Sequence, residues 1–165
     1  MTGASIINCI WGINGSEAAM ALLDDLLTGS GLADRAIRID DHLVRFQWGS
    51  AFVIAGISGS ALVAFAPLFR AVPRGKEQAF YRKLLEHNAY MGGVASFAIQ
   101  NDGWVVLHAG RPLKGVDAQE FETLVSGVGR FADQFDDQLI AEFYMNQPES
   151  TNQVDSSGAQ LPQTD

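Results

Sequence analysis

Three histidines, one cysteine, a serine among glycines and two adjacent acidic pairs are the residues here whose types could do chemistry. Acid–base work, metal binding and nucleophilic attack each demand a particular spacing of such groups. His42 follows Asp40-Asp41 in a turn, His87 closes a helical pattern, and His108 is expected at a strand end on the solvent face. No H-x-x-x-H and no C-x-x-C occurs, so a zinc site lacks its third and fourth ligands. A histidine at a helix C-terminus is favoured by the dipole alone, which accounts for His87. Residues 56–60 read GISGS, where a hydrolase elbow needs glycine at the fifth position. No P-loop and no G-x-G-x-x-G is present. Asp24-Asp25 and Asp136-Asp137 fall in helical patterns, where adjacent side chains diverge, so solvated faces account for both. Cys9 sits in the apolar run SIINCIWGI, where a buried, inert thiol is expected. The residues thus offer no catalytic site, no cofactor and no metal, and the chain reads as a binding protein.

The elements that position these groups belong to one domain. A chain of 165 residues, 47% of them hydrophobic, buries about two thirds of its unfolded surface and needs no staples. The domain is expected over 1–146 and a disordered polar tail over 147–165, which has no aromatic residue and many Ser, Gln, Asn, Thr and Pro. One cysteine excludes an internal disulfide and fits a reducing compartment. The apolar run Ser5 to Ile13 has nine residues, and a membrane span needs about twenty. The first basic residue is Arg35, so a secretory signal is not expected. Asn14-Gly-Ser16 matches a glycosylation sequon by chance. The expectation is a cytoplasmic protein that engages no membrane.

Net charge is −8 and unevenly spread. Residues 1–34 carry four acids and no base, 35–116 ten bases against five acids, and 117–165 ten acids with only Arg130. The negative total argues against nucleic acid, whose phosphates demand a positive footprint. Arg70, Arg74, Lys76, Arg82 and Lys83 nevertheless form a basic cluster. It reads as the solvated flank of a helix, or as a docking patch for an acidic partner or for the chain's own acidic helix.

Ser16 and Glu17 open a helical pattern with Met20, Leu22, Leu23, Leu26 and Leu27, ended by Gly29 and Gly31, which predicts a helix over 16–29. Strand runs follow from Arg35, broken by Asp40-Asp41, by Gly49-Ser50 and by a turn over Gly56 to Ser60; a third run spans Ala61 to Phe69, with Pro67 at an edge or end. A second helix is expected over 76–88, with Phe80, Tyr81, Leu84 and Leu85 on one face and Asn88 as its stop. Asn101-Asp102-Gly103 marks a hairpin between two further runs. Asp117 and Glu120 resemble a capping box for a long amphipathic helix over 118–145. Gly127 and Gly129 lie inside it, either tolerated or serving close packing on a strand or a second copy. The order α-β-β-β-α-β-β-α, with five to six strands, gives an α+β domain on a twisted antiparallel sheet.

Several segments carry a family resemblance. They are Arg70-Ala71-Val72-Pro73, then Phe80-Tyr81-Arg82-Lys83-Leu84-Leu85-Glu86-His87-Asn88, then Phe97-Ala98-Ile99 and Trp104-Val105-Val106-Leu107. Pro112 to Asp117 follows, leading into a helix with Phe121-Glu122 and Ala132-Asp133. On these, residues 61–145 resemble the YbjN family of small bacterial proteins, itself similar in fold to the class I chaperones of type III secretion. The resemblance implies a small, acidic, cytoplasmic homodimer that holds an extended segment of a client protein on apolar surface, without ATP. Leu22, Leu26, Phe46, Trp48 and Phe52 are more large apolar surface than one side of a small sheet hides, so some are expected to line a client groove and the rest to fill the core. Tyr90, Met91 and Val94, with Gly127 and Gly129, are the expected dimer contact. The alternative is a regulatory or structural adaptor for a folded partner, with an enzyme as a third reading.

Overall fold

The computed structural model describes residues 16–145. Cys9, the sequon asparagine and the segment 147–165 lie outside the described residues. The elements run α1 (Glu17–Ser30), a 3-10 turn (Ala33–Arg35), β1 (Ile37–Asp40), β2 (Leu43–Trp48), β3 (Ala51–Ser58), β4 (Ala61–Phe69), α2 (Glu77–Met91), β5 (Ser96–Ile99), β6 (Val105–Pro112) and α3 (Ala118–Leu139), closed by a π-helical turn (Ile140–Tyr144). Four strands rather than three precede α2, because the short β1 pairs with β2.

The six strands form one antiparallel sheet in the order β1-β2-β3-β4-β6-β5. Two-residue Gly-Ser turns join β2 to β3 and β3 to β4, with Gly49 and Gly59 at φ +53° and +57°. That backbone twist matches the strands, and a side chain would strain it. Gly56 is not a turn residue as the sequence implied. It lies inside β3, where an added Cβ would fall 2.4 Å from the His42 carbonyl oxygen. Pro67 sits past the last β3 pairing of β4, at a register shift where its missing N–H breaks no ladder on that side.

α1 and α3 lie over one face of the sheet. Ser16 caps α1 by accepting from the Ala19 N–H, and Asp117 caps α3 by accepting from the Glu120 N–H at 2.8 Å. The Glu120 carboxylate turns instead to Arg111 at 2.9 Å, tying α3 to β6. Between the layers Leu23, Phe46, Val53, Leu107, Phe121, Val128 and Phe135 are buried; each such side chain stabilises by about 1.5–3 kcal/mol. Phe46 and Phe121 meet edge to face at 6.3 Å. Strand alternation places a smaller cluster, Leu43, Ile54 and Phe65 with Ile39 and Phe52, on the opposite face.

The π-helical turn that ends α3 swings Phe143 and Tyr144 towards α2 and β4. Phe143 meets Phe80 edge to face at 5.2 Å, and Tyr144 stacks on Phe69 at 4.6 Å. The Tyr144 hydroxyl donates to the Ala71 carbonyl at 2.7 Å. Burial pushes its pKa up to about 12, so it remains a donor.

Candidate functional site: the two ends of the sheet

At one end of the sheet, α2 packs against β5 and buries Phe80, Leu84 and Met91. The four apolar residues expected on one face of this helix divide between two. Phe80 and Leu84 face inward, whereas Tyr81 is 42% and Leu85 67% exposed. With Ala89 they form an outward stripe flanked by Gln78, Arg82 and Glu86. Ile99 at the end of β5 is also exposed. Asn88 is not the helix stop: α2 runs on to Met91 and ends at Gly92. The Asn88 amide accepts from the Phe97 N–H at 2.7 Å and donates to the Phe97 carbonyl at 3.4 Å. A side chain thus closes the middle of the β5 edge.

At the other end, β1 pairs only with β2, and its outer edge has no strand beside it among the described residues. Ile37 on this strand is 53% exposed. A cleft of about 290 Å³ opens between α1 and the strand, lined by Leu27, Ala33, Ala36 and Val44 with Asp24, Thr28 and Arg38. Arg38 pairs with Asp24 across its mouth and donates to the Asp41 carbonyl at 3.0 Å. The cleft is apolar inside and polar at its rim, which suits an aliphatic side chain entering from an extended segment.

The titratable residues stay apart. His87 stacks on Phe135 at 4.1 Å, and burial, with Lys83 beside it, pulls its pKa down. His108 lies mid-strand in β6 between Phe65 and Ser96, not at a strand end, and burial lowers its pKa too. His42 sits in the β1–β2 turn, its N–H donating to Asp40. Among the described residues no group of three or more His, Cys, Asp or Glu is placed to hold a metal ion, and no helix is long and apolar enough to cross a membrane. Asp133 and Asp136 receive Ser50: its hydroxyl donates to Asp136 at 2.7 Å and its N–H to Asp133 at 2.8 Å, fixing the β2–β3 turn to α3.

The family comparison adds to this geometry. The model of the Tir chaperone protein (CesT) family matches residues 21–132, more than half of the chain. The chain belongs to this chaperone family. It is therefore a partner-binding chaperone and not an enzyme. No curated protein is close enough in sequence to count as a relative. Among solved structures the chaperone is similar to a chain of the ExsC–ExsE complex (16% identity, 73% of this chain and 95% of that one, TM-score 0.54). It is similar also to a chain of the ExoU–SpcU complex from the type III secretion system of Pseudomonas aeruginosa (16%, 66% and 92%, 0.52). The HopA1–SchA chaperone–effector complex provides a third (10%, 75% and 99%, 0.54). At these identities the likeness is one of fold.

The residues singled out in sequence fall at several places in the chaperone. Leu26 and Phe46, 4% and 0% exposed, are core. Leu22 is half-buried against them. Trp48 is half-buried under the Arg35 guanidinium, 4.7 Å from its ring centroid. Its other face meets Gly129, where an added Cβ would approach the indole to 2.5 Å. Phe52 is on the opposite face of the sheet, with Arg45 over its ring. Of the expected dimer residues, Tyr90 and Val94 are exposed, but Met91, Gly127 and Gly129 are buried and face the chain's own side chains. Gly127 is narrow because Val94 packs on it. The glycines thus serve packing within the chain. Ile37, Leu85 and Asn88 were not singled out as site residues. The signal for Leu85 was present: apolar pairs at 80/81 and 84/85 mark a helix with two apolar faces.

Proposed function

We propose that this chaperone holds an extended segment of a client protein against the open edge of β1, and works as a homodimer joined across the outer stripe of α2. The observation that carries the reading is the β1 edge, which has no strand beside it among the described residues and bears the exposed Ile37, set against the exposed Tyr81 and Leu85 on α2 at the other end of the sheet. An unpaired strand offers main-chain donors and acceptors to any extended peptide, and the neighbouring cleft adds side-chain selectivity. The HopA1–SchA pair, a chaperone–effector complex of the same fold, supports a protein client.

The α2 stripe is self-complementary. Arg82 and Glu86 lie one turn apart beside the exposed Leu85, so two helices crossing antiparallel at that level set Arg82 of one against Glu86 of the other. Within the helix the pair already bonds at 2.9 Å, each holding the other's charge. A stable two-fold seam requires about 1,000 Å² in total. The cytoplasmic setting and the kinship of residues 61–145 with YbjN proteins belong to the same reading. Phe52 and Leu22, partly exposed near the β1 end, extend the client surface in it.

The test is capture from native lysate with the full-length chain, wild type beside Ile37→Asp. A client caught by wild type, lost with Ile37→Asp, and slowing amide exchange at residues 37–40 supports the reading. Clients caught equally by both proteins would overturn the β1 assignment.

A further inference from the structure

We propose that the loop joining β4 to α2 is a docking site for an acidic segment of a second protein, separate from the client edge and the dimer stripe. Three of the five cations in the basic cluster are answered inside the molecule. Lys83 pairs with the Glu142 carboxylate at 2.9 Å, Lys76 donates to the Glu142 carbonyl at 3.3 Å, and Arg82 pairs with Glu86. Arg70 and Arg74 are exposed and have no carboxylate partner among the described residues. The Arg70 guanidinium lies 5.4 Å from the centroid of the Trp104 ring, which orients it without neutralising it.

The loop that presents these arginines is held at several points. Tyr144 donates to the Ala71 carbonyl, Pro73 is buried, the Lys76 N–H donates to the Pro73 carbonyl at 3.4 Å, and the Gly75 N–H donates to the Glu77 carboxylate at 2.9 Å. A loop already ordered loses little freedom on binding. Two guanidinium forks offer bidentate bonds to carboxylates, and the indole offers a flat apolar wall. The occupant that fits is a peptide segment with neighbouring carboxylates.

The chain's own acids suit the place less well. Glu149, Asp155 and Asp165 are scattered and cannot present adjacent carboxylates. A second copy docking its acidic face here would make a head-to-tail contact that propagates, against the repulsion of two bodies of charge −8. Screening over about 8 Å at physiological salt lets a local positive site act despite that net charge.

The experiment uses a fluorescein-labelled peptide with an Asp-Glu-Asp-Glu run, and its Asn-Gln-Asn-Gln counterpart, titrated with the full-length chain by fluorescence anisotropy. The acidic peptide should bind and the neutral one should not. R70E/R74E should weaken binding at least about tenfold, with R70Q/R74Q as the milder variant should the reversal unfold the chain. K114E, beyond β6 and beside the start of β4 where Leu113 bonds Ser60, should leave binding unchanged. Equal binding by wild type and both arginine variants, or an equal loss with K114E, would overturn the proposal. So would a chain ending at Asn146 that binds the peptide tenfold tighter, since residues 147–165 would then be the occupant.

Discussion

The β5 end and the β1 end of the sheet meet the same difficulty in different ways. Each is a strand with one side unpaired among the described residues, and such an edge invites uncontrolled pairing. At β5 a helix lends a side-chain amide: Asn88 satisfies both polar groups of Phe97, and α2 stands over the strand. At β1 no side chain among the described residues is spent on the edge in this way, and Arg38 is committed to Asp24 and Asp41. One edge is blunted and carries an apolar stripe suited to a fixed seam. The other has no strand or side chain over it among the described residues and carries a cleft, where the proposal seats the client. On the proposed reading, that difference gives the two ends of one sheet different work.

The sharpest way to break this comparison is Leu85→Asp. Its side chain is 67% exposed, so thermal stability should hardly change, while light scattering at tens of micromolar should fall from a dimer to a single 17.8 kDa species. A variant still dimeric, or a wild type already at 17.8 kDa, would remove the seam from α2. Asn88→Ala should come next. It leaves the Phe97 N–H half-buried and unpaired, a loss of about 1–3 kcal/mol in urea unfolding. The exposed Ile37→Asp should leave unfolding unchanged, and an equal loss in both would erase the contrast between the edges.

A smaller effect tests the packing beneath the open end. Gly129→Ala should destabilise, because the new methyl meets three indole atoms of Trp48 at 2.5–2.9 Å. Overpacking costs about 1–3 kcal/mol, more than the roughly 1 kcal/mol of helix propensity gained. Gly127→Ala meets only the tip of Val94 at 2.8 Å, a side chain 38% exposed that has room to turn. Its unfolding free energy should stay within about 0.5 kcal/mol of wild type.

The smallest expected effect is one of pH. Burial holds the folded-state pKa of His87 below its ordinary value, with Lys83 adding to it and Glu142 and Glu86 opposing. The elements packed against its ring otherwise contribute Phe97 and Phe135. The folded state therefore binds the proton less well than the unfolded one. His87 contributes stability in full above about pH 6.5, and that contribution is lost as the pH falls through the unfolded and then the folded pKa. Thermal melts should show a drop over that range that His87→Phe reduces; an unchanged drop would assign it to other groups.

How much of this was legible beforehand follows from how local each signal is. The caps at Ser16 and Asp117 and the turn at Asn101 to Gly103 were readable, because each is decided within a few residues. β1 was blurred because four residues are too short for alternation to register. The partition of Phe46 and Leu26 to the core, and of Phe52 to the opposite face, depends on which face the helices cover. Asn88 was read as a helix stop from its type, whereas its role depends on Phe97, which reaches it only in three dimensions. Of the candidate site, Leu85 had a local signal in the apolar pairs 80/81 and 84/85, whereas Ile37 was hidden, because its exposure is a property of the assembled fold.

The strand order has a consequence for how the chain comes into being. β1 to β4 form a meander whose partners are neighbours in sequence, so they can pair as they leave the ribosome. β6 then inserts between β4 and β5, with Ala61 opposite Pro112. Until the segment from Val105 to Pro112 has been made, β4 stands bare along the side that β6 will cover. A protein whose work is to hold other chains thus passes through a stage in nascent life when one of its own inner strands is the exposed one. Pausing of synthesis between α2 and β6 is the moment at which it should depend most on the help of others.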